Sequence, residues 1–158
     1  MLESFKQRSS TKDEEVILSR NSSTKNNYLL ERVLKITKSS LTSKKLAVVI
    51  AQLAFDKKAE DIVVLDMRKV VNFCDYFVIC SGTSDRHVKS IADGIDLGLE
   101  ALGEAIPKFS RKAQETDWIV LDVGNVVAHI FQKDLRAFYN LEYLWQEAKV
   151  VNLDKDLL

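Results

Sequence analysis

The stretch DWIVLDVGNVVAHIF, residues 117–131, decides the fold. Two apolar, β-branched runs flank Gly124-Asn125, which is a hairpin signal, although Gly-Asn is less decisive than Asn-Gly. Side chains alternate faces along a strand. Trp118, Val120 and Asp122 therefore share one face of the first strand, and Val127, His129 and Phe131 share one face of the second. If those faces coincide, the hairpin displays Trp118, Asp122 and His129 together among apolar side chains. An aromatic anchor ringed by polar groups is how binding hot spots are built. A Trp and a His packed under a helix, with Asp122 at a strand end, accounts for the pattern equally well.

The segments on either side supply the rest of an α/β domain. Just upstream, AIPKFS (105–110) reads as a short edge strand, where its single Pro is tolerated. Val88, Ile91, Ile95, Leu99 and Leu102 recur at helical spacing and predict a helix over about 85–102, capped by Thr83 or Ser84 and stopped by Gly103. Gly94 and Gly98, one turn apart, suggest close packing of this helix on a sheet. DYFVICSG (75–82) and DIVVLDM (61–67) read as inner strands joined through Arg68 to Phe73. Leu46, Val49, Ile50 and Leu53 predict an amphipathic helix from about Ser43 to Lys57. Downstream, Leu135, Phe138, Leu141 or Glu142, and Trp145 form one stripe of a final helix over about 133–149, and VNLDKDLL is expected to fray. The expected architecture is a mixed β-sheet of about five strands with flanking helices over at least one face.

The 158 residues hold 23 basic and 23 acidic side chains, and this neutral total hides two unlike pieces. Residues 1–45 form a basic extension, rich in Ser, Thr and Asn, with ten basic residues against five acidic ones. Such a stretch buries too little apolar surface to offset its ordering entropy, apart from a short helix suggested around Tyr28 to Ile36. The domain proper is expected over 46–150, followed by a tail over 151–158. From residue 46 onward the net charge is −5. A domain of that sign makes a poor nucleic-acid binder and is drawn to basic surfaces, unless the charge serves only solubility. No run approaches the roughly 20 apolar residues of a membrane span, and MLESFKQRSS lacks a secretory h-region, so a cytoplasmic setting is expected.

Catalytic patterns are mostly missing. Cys74 and Cys80 fit no zinc or redox spacing and read as buried thiols. SGTSDRH lacks the Lys of a P-loop, although Ser81, Thr83 and Ser84 beside a helix N-terminus could hold an anion as well as cap the helix. Asp61, Asp66, Asp75 and Asp122 contain no Asp-x-Asp pair; Asp66 and Asp122 could still converge from different strands to hold magnesium. His87 and His129 are available as general bases, but neither has an adjacent nucleophile. A non-enzymatic protein without cofactor or metal is expected. The alternative is a nucleotide-binding or nucleotidyltransferase enzyme with a degenerate site.

KKAEDIVVLDMR, CDYFVICSGTSDRHVKSIAD, DWIVLDVGNVVAHIF and RAFYNLEYLW, in that order, resemble the ribosomal silencing factor family, also called Iojap-like, over about 46–149. The resemblance implies a nucleotidyltransferase-like α/β fold without its catalytic equipment. It implies binding to the large ribosomal subunit through ribosomal protein number fourteen, a block on small-subunit joining, and a homodimer of the free factor. An organelle-targeting peptide is a rival reading of the basic extension, which makes an organelle matrix the alternative setting, although Asp13, Glu14 and Glu15 argue against a transit peptide. The signature positions carried over include Tyr76, Gly82, His87, Trp118, Asp122, His129, Arg136, Tyr139, Glu142 and Trp145. Of these, Trp118, Asp122 and His129 are the expected partner contacts, with Tyr76 and Glu142 beside them. The basic extension is a candidate for ribosomal RNA contact. Where the family usually carries Glu-Gly before the Trp strand, this chain has Arg111 and Lys112, which alters the charge of the 108–116 loop.

Overall fold

The computed structural model describes residues 41–104 and 116–154. The helix suggested around Tyr28 to Ile36, the edge strand over 105–110, Arg111 and Lys112, and the last four residues lie outside them.

Helix α1 (Ser43–Asp56) starts at Thr42, whose hydroxyl accepts the Lys45 N–H. It ends through Lys58 at φ 63°, where Lys58 N–H donates to the Phe55 carbonyl and Ala59 N–H to that of Ala54. Strands β1 (Glu60–Asp66) and β2 (Tyr76–Gly82) follow. Helix α2 (Asp85–Ala101) is capped by Ser84, and Gly103 closes it at φ 77° with the paired bonds of a Schellman motif. Strands β3 (Trp118–Val123) and β4 (Val126–Gln132) form the expected hairpin. Gly124 takes φ 71° at the first loop position, and the Asp122 carboxylate accepts its N–H at 2.9 Å.

The sheet is five-stranded and mixed, in the order β3-β4-β2-β1-β5. β2 and β4 run parallel at its centre, and every other pair is antiparallel. β4 arrives beside β2 only after α2 and β3, so the central pairing joins residues about fifty positions apart, as in Tyr76 with Val126.

Both long helices cover one face. α1 lies over β1 and β2, and α2 over β3 and β4. Ile50, Ile91, Ile95 and Leu99 from the helices are fully buried against Val78, Cys80, Ile119, Leu121 and Ile130 from the strands. Gly94 and Gly98 do allow close approach, but to α1 rather than to the sheet: a β-carbon on either would run into the side chain of Lys57 or Leu53. At Gly82 a β-carbon would sit 2.8 Å from the Val88 backbone nitrogen, so the strand end and the first turn of α2 can meet only there.

The expected single helix over 133–149 is broken. Helix α3 (Lys133–Tyr139) stops at Asn140, which takes the left-handed conformation at φ 43°, and a one-turn helix α4 (Leu141–Leu144) follows. Phe138 therefore leaves the stripe and stands 79% exposed, while Leu141 and Trp145 pack on the second sheet face. The chain then forms β5 (Lys149–Val150) against β1. The tail expected to fray begins in order, with Val151 N–H donating to the Val64 carbonyl.

Candidate functional site

The register settles which hairpin residues share a face. Trp118 pairs with Phe131, Val120 with His129 and Asp122 with Val127. Through β4, the same face continues to Phe77, Ile79 and Ser81 on β2, then to Val63 and Leu65 on β1. The two hairpin faces thus coincide, on the side of the sheet away from α1 and α2.

This second face is only partly covered. Leu141 and Trp145 cross it over Phe77, Leu65 and Met67. The outer hairpin stays open: Val120 is 43% exposed, Asp122 is exposed, and Trp118 and Val127 are half-buried. Phe73, from the connection between β1 and β2, stands at the lower rim, 61% exposed, with its ring 6.2 Å from that of Phe77.

Trp118 is held on several sides. Its ring stacks on Phe131 at 4.7 Å and meets Tyr139 at 4.9 Å. Its indole N–H donates to His129 Nδ1 at 3.4 Å, so the imidazole proton sits on Nε2. His129 is only 8% exposed, edge-on to Phe77 at 4.7 Å, and its Nε2 is buried with no hydrogen-bond partner among the described residues. Burial lowers its pKa to about 4, so it stays neutral at ordinary pH. His129 is thus buried beneath the surface and holds the half-buried Trp118 in place.

The other expected contacts divide. Tyr76 pairs with Val126 and Asp66, on the helix-covered face, and is 1% exposed. It is one residue out of phase with Phe77 and does not belong to the hairpin surface. Glu142 is on the right side, but its carboxylate is engaged. Arg136 Nε and Nη2 donate to Glu142 Oε1 at 2.8 and 2.6 Å, and Arg136 Nη1 donates to Ser81 Oγ at 2.9 Å. This node ties α3 and α4 to the end of β2. Sequence spacing concealed it, because Arg136 and Glu142 lie six residues apart across the break at Asn140.

The anion reading of Ser81 to Ser84 loses its donors. Ser81 serves Arg136, and Ser84 Oγ accepts the His87 N–H at 3.1 Å. His87 Nδ1 accepts the Thr83 N–H at 3.0 Å, and His87 Nε2 donates to the Lys57 carbonyl at 2.8 Å. His87 thus latches the start of α2 to the end of α1. Asp66 and Asp122 do not converge: Asp66 shares its face with Tyr76, and Asp122 shares the opposite one with Phe77. The Asp66 carboxylate is bound by Arg68 at 2.6 and 2.9 Å, and this pair holds its pKa below the usual range. Cys74 and Cys80 are buried, which pushes their pKa values up to about 11 and 12 and keeps both as thiols. Among the described residues no cluster of His, Cys, Asp and Glu could hold a metal ion, and no helix is long and apolar enough to cross a membrane.

Comparison with known proteins bears on the whole domain. A family model described as ribosomal silencing factor during starvation matches residues 40–157. Over 99 residues the chain is 43% identical to the ribosomal silencing factor of Bacillus subtilis, spanning 63% of this chain and 83% of that one. It is 36% identical over 114 residues to the chloroplast protein Iojap of Zea mays, covering 70% of this chain and 47% of the relative. A crystal structure of a Chromobacterium violaceum protein superposes with a TM-score of 0.64 at 26% identity, over 67% of this chain and 88% of that one.

Proposed function

The chain belongs to the ribosomal silencing factor family, and from that premise we propose that it represses translation by binding the large ribosomal subunit and sterically blocking attachment of the small one. Ribosomal protein number fourteen is the docking partner, and limited nutrients are the condition under which the block matters. The observation that carries this reading is the half-open hairpin face, where Trp118, Val120 and Asp122 line up beside a half-buried Val127. An aromatic anchor locked from below, an apolar surround and an exposed carboxylate suit a basic protein surface. The −5 charge of the domain speeds the encounter.

The protein acts by occupancy rather than by chemistry, and needs no cofactor. The sheet is read as a nucleotidyltransferase-like scaffold without a working centre, a view supported by Asp66 and Asp122 pointing to opposite faces. The basic extension adds contacts to ribosomal RNA, and the free protein forms a homodimer. It works in the cytoplasm or, as the relatedness to chloroplast Iojap supports, in an organelle matrix.

Purified subunits test the proposal. Added to separated large and small subunits, the protein should co-sediment with the large subunit on a sucrose gradient and lower the joined fraction. An unchanged joined fraction at low and moderate salt defeats the proposal. Removal of residues 1–45 should weaken binding and flatten its salt dependence, because fewer phosphates are neutralised. Equal affinity would make the extension a spacer.

A further inference from the structure

Helix α3 is unusual in burying none of its residues. Its N-terminal end is held by polar links: Lys133 pairs with Glu60, and Arg136 binds Ser81 and Glu142. This arrangement places two aromatic rings beside the hairpin Trp. Phe138 meets Tyr139 edge-on at 5.2 Å, Tyr139 meets Trp118 at 4.9 Å, and Trp118 stacks on Phe131 at 4.7 Å. Phe138 is 79% exposed and Tyr139 47%.

We propose that Phe138 and Tyr139 extend the Trp118 surface into an aromatic ledge that receives arginine side chains of a basic partner protein. The proposal rests on the reading of this face as the docking surface. The charges nearby select the occupant. Lys133 and Arg136 are already committed to acidic partners, whereas Asp134, one helical turn before Phe138, has no cationic partner among the described residues. The ledge thus offers exposed π faces beside an uncompensated carboxylate. A guanidinium satisfies both, because it is planar, weakly hydrated, stacks on aromatic rings and pairs with carboxylates. Phosphates of nucleic acid or of an anionic lipid would meet only repulsion here. A purely aliphatic peptide would leave that carboxylate unmatched.

Two measurements on the full chain test this. In the first, the wild-type protein and its Tyr139→Phe, Tyr139→Leu and Phe138→Leu variants are titrated with purified large subunits. Tyr139→Phe should bind within about twofold of wild type, because the ring is kept, whereas Tyr139→Leu should bind roughly three- to thirtyfold more weakly. Phe138→Leu should lose about two- to fivefold. Unchanged melting and far-ultraviolet circular dichroism confirm that each variant is folded. Wild-type affinity in both leucine variants overturns the proposal. So does an equal loss in Tyr139→Phe and Tyr139→Leu, since the hydroxyl would then be the contact. The second measurement needs no ribosome. An arginine-only peptide should bind several-fold tighter than a lysine-only peptide of equal length, and Tyr139→Leu should erase the difference. No preference, or one that survives in both leucine variants, overturns the ledge. A ledge that selects arginine while the wild-type protein ignores large subunits overturns the docking reading instead.

Discussion

The two faces of the sheet are built differently. One carries helices of 14 and 17 residues that bury Leu46, Ile50, Val88, Ile91, Ile95 and Leu99. The other carries helices of seven and four residues, of which the first only half-buries Leu135 and the second buries Leu141. The covered face holds apolar packing that stabilises the fold. The other face has an apolar cluster around Phe77, Leu141 and Trp145, and its outer hairpin is ordered in addition by ring stacking on Trp118, one indole-to-imidazole hydrogen bond, and the Arg136 node. The contrast shows how a partly uncovered sheet face can stay ordered without a long helix over it. Trp118 is gripped by Phe131, His129 and Tyr139 yet remains only half-buried.

Ile130→Ala should break the covered side most severely. Ile130 is fully buried in a central strand beneath α2, and the cavity should cost about 2–5 kcal/mol in denaturant unfolding. Next comes acid. The folded-state pKa of His129, about 4, lies below the ordinary value of 6.5, so the unfolded chain binds more protons between those limits. Stability from this group is whole above pH 6.5 and falls as pH drops towards 4, by roughly 3 kcal/mol at most. Urea midpoints at pH 7 and 4.5 should differ accordingly, and His129→Phe should flatten the difference. Gly82→Ala should cost about 1–3 kcal/mol, because its new β-carbon meets backbone rather than a yielding side chain. The smallest stability effect belongs to the open face. Val120→Lys should move the unfolding midpoint by no more than about 0.5 kcal/mol. The same change should weaken large-subunit binding at least tenfold in co-sedimentation, as a cation replaces an apolar contact opposite a basic partner. If Val120→Lys instead unfolds the protein, the two faces do not differ as described.

The hairpin, its turn and its shared face were legible because alternation over six or seven residues leaves little choice of register once one side is apolar. The two long helices were legible for the same kind of reason, at period 3.6, and their ends were marked by Ser84 and Gly103. The segment over 133–149 was misread because Leu135, Leu141 and Trp145 keep helical spacing while one residue, Asn140, leaves the helix. Asn is among the few residues at ease in that conformation, so the signal was present but weak. β5 is two residues long and leaves no periodicity to detect. The partnerships of the site were hidden for a different reason. His87 with Lys57, Arg136 with Ser81, and His129 with Trp118 join residues 30, 55 and 11 positions apart, and only the tertiary fold brings them together. The displacement of Tyr76 from the expected contacts follows from counting faces outward from Phe77, a step that pairing with β4 makes unambiguous.

The parallel contact of β2 with β4 has a consequence for the protein's own synthesis. While residues up to 104 emerge, β2 has a neighbour only on its β1 side, and a row of backbone amides and carbonyls waits on the other. That bare rim is filled only when residues 126–132 arrive. Until then the nascent chain offers a strand edge to any extended peptide nearby.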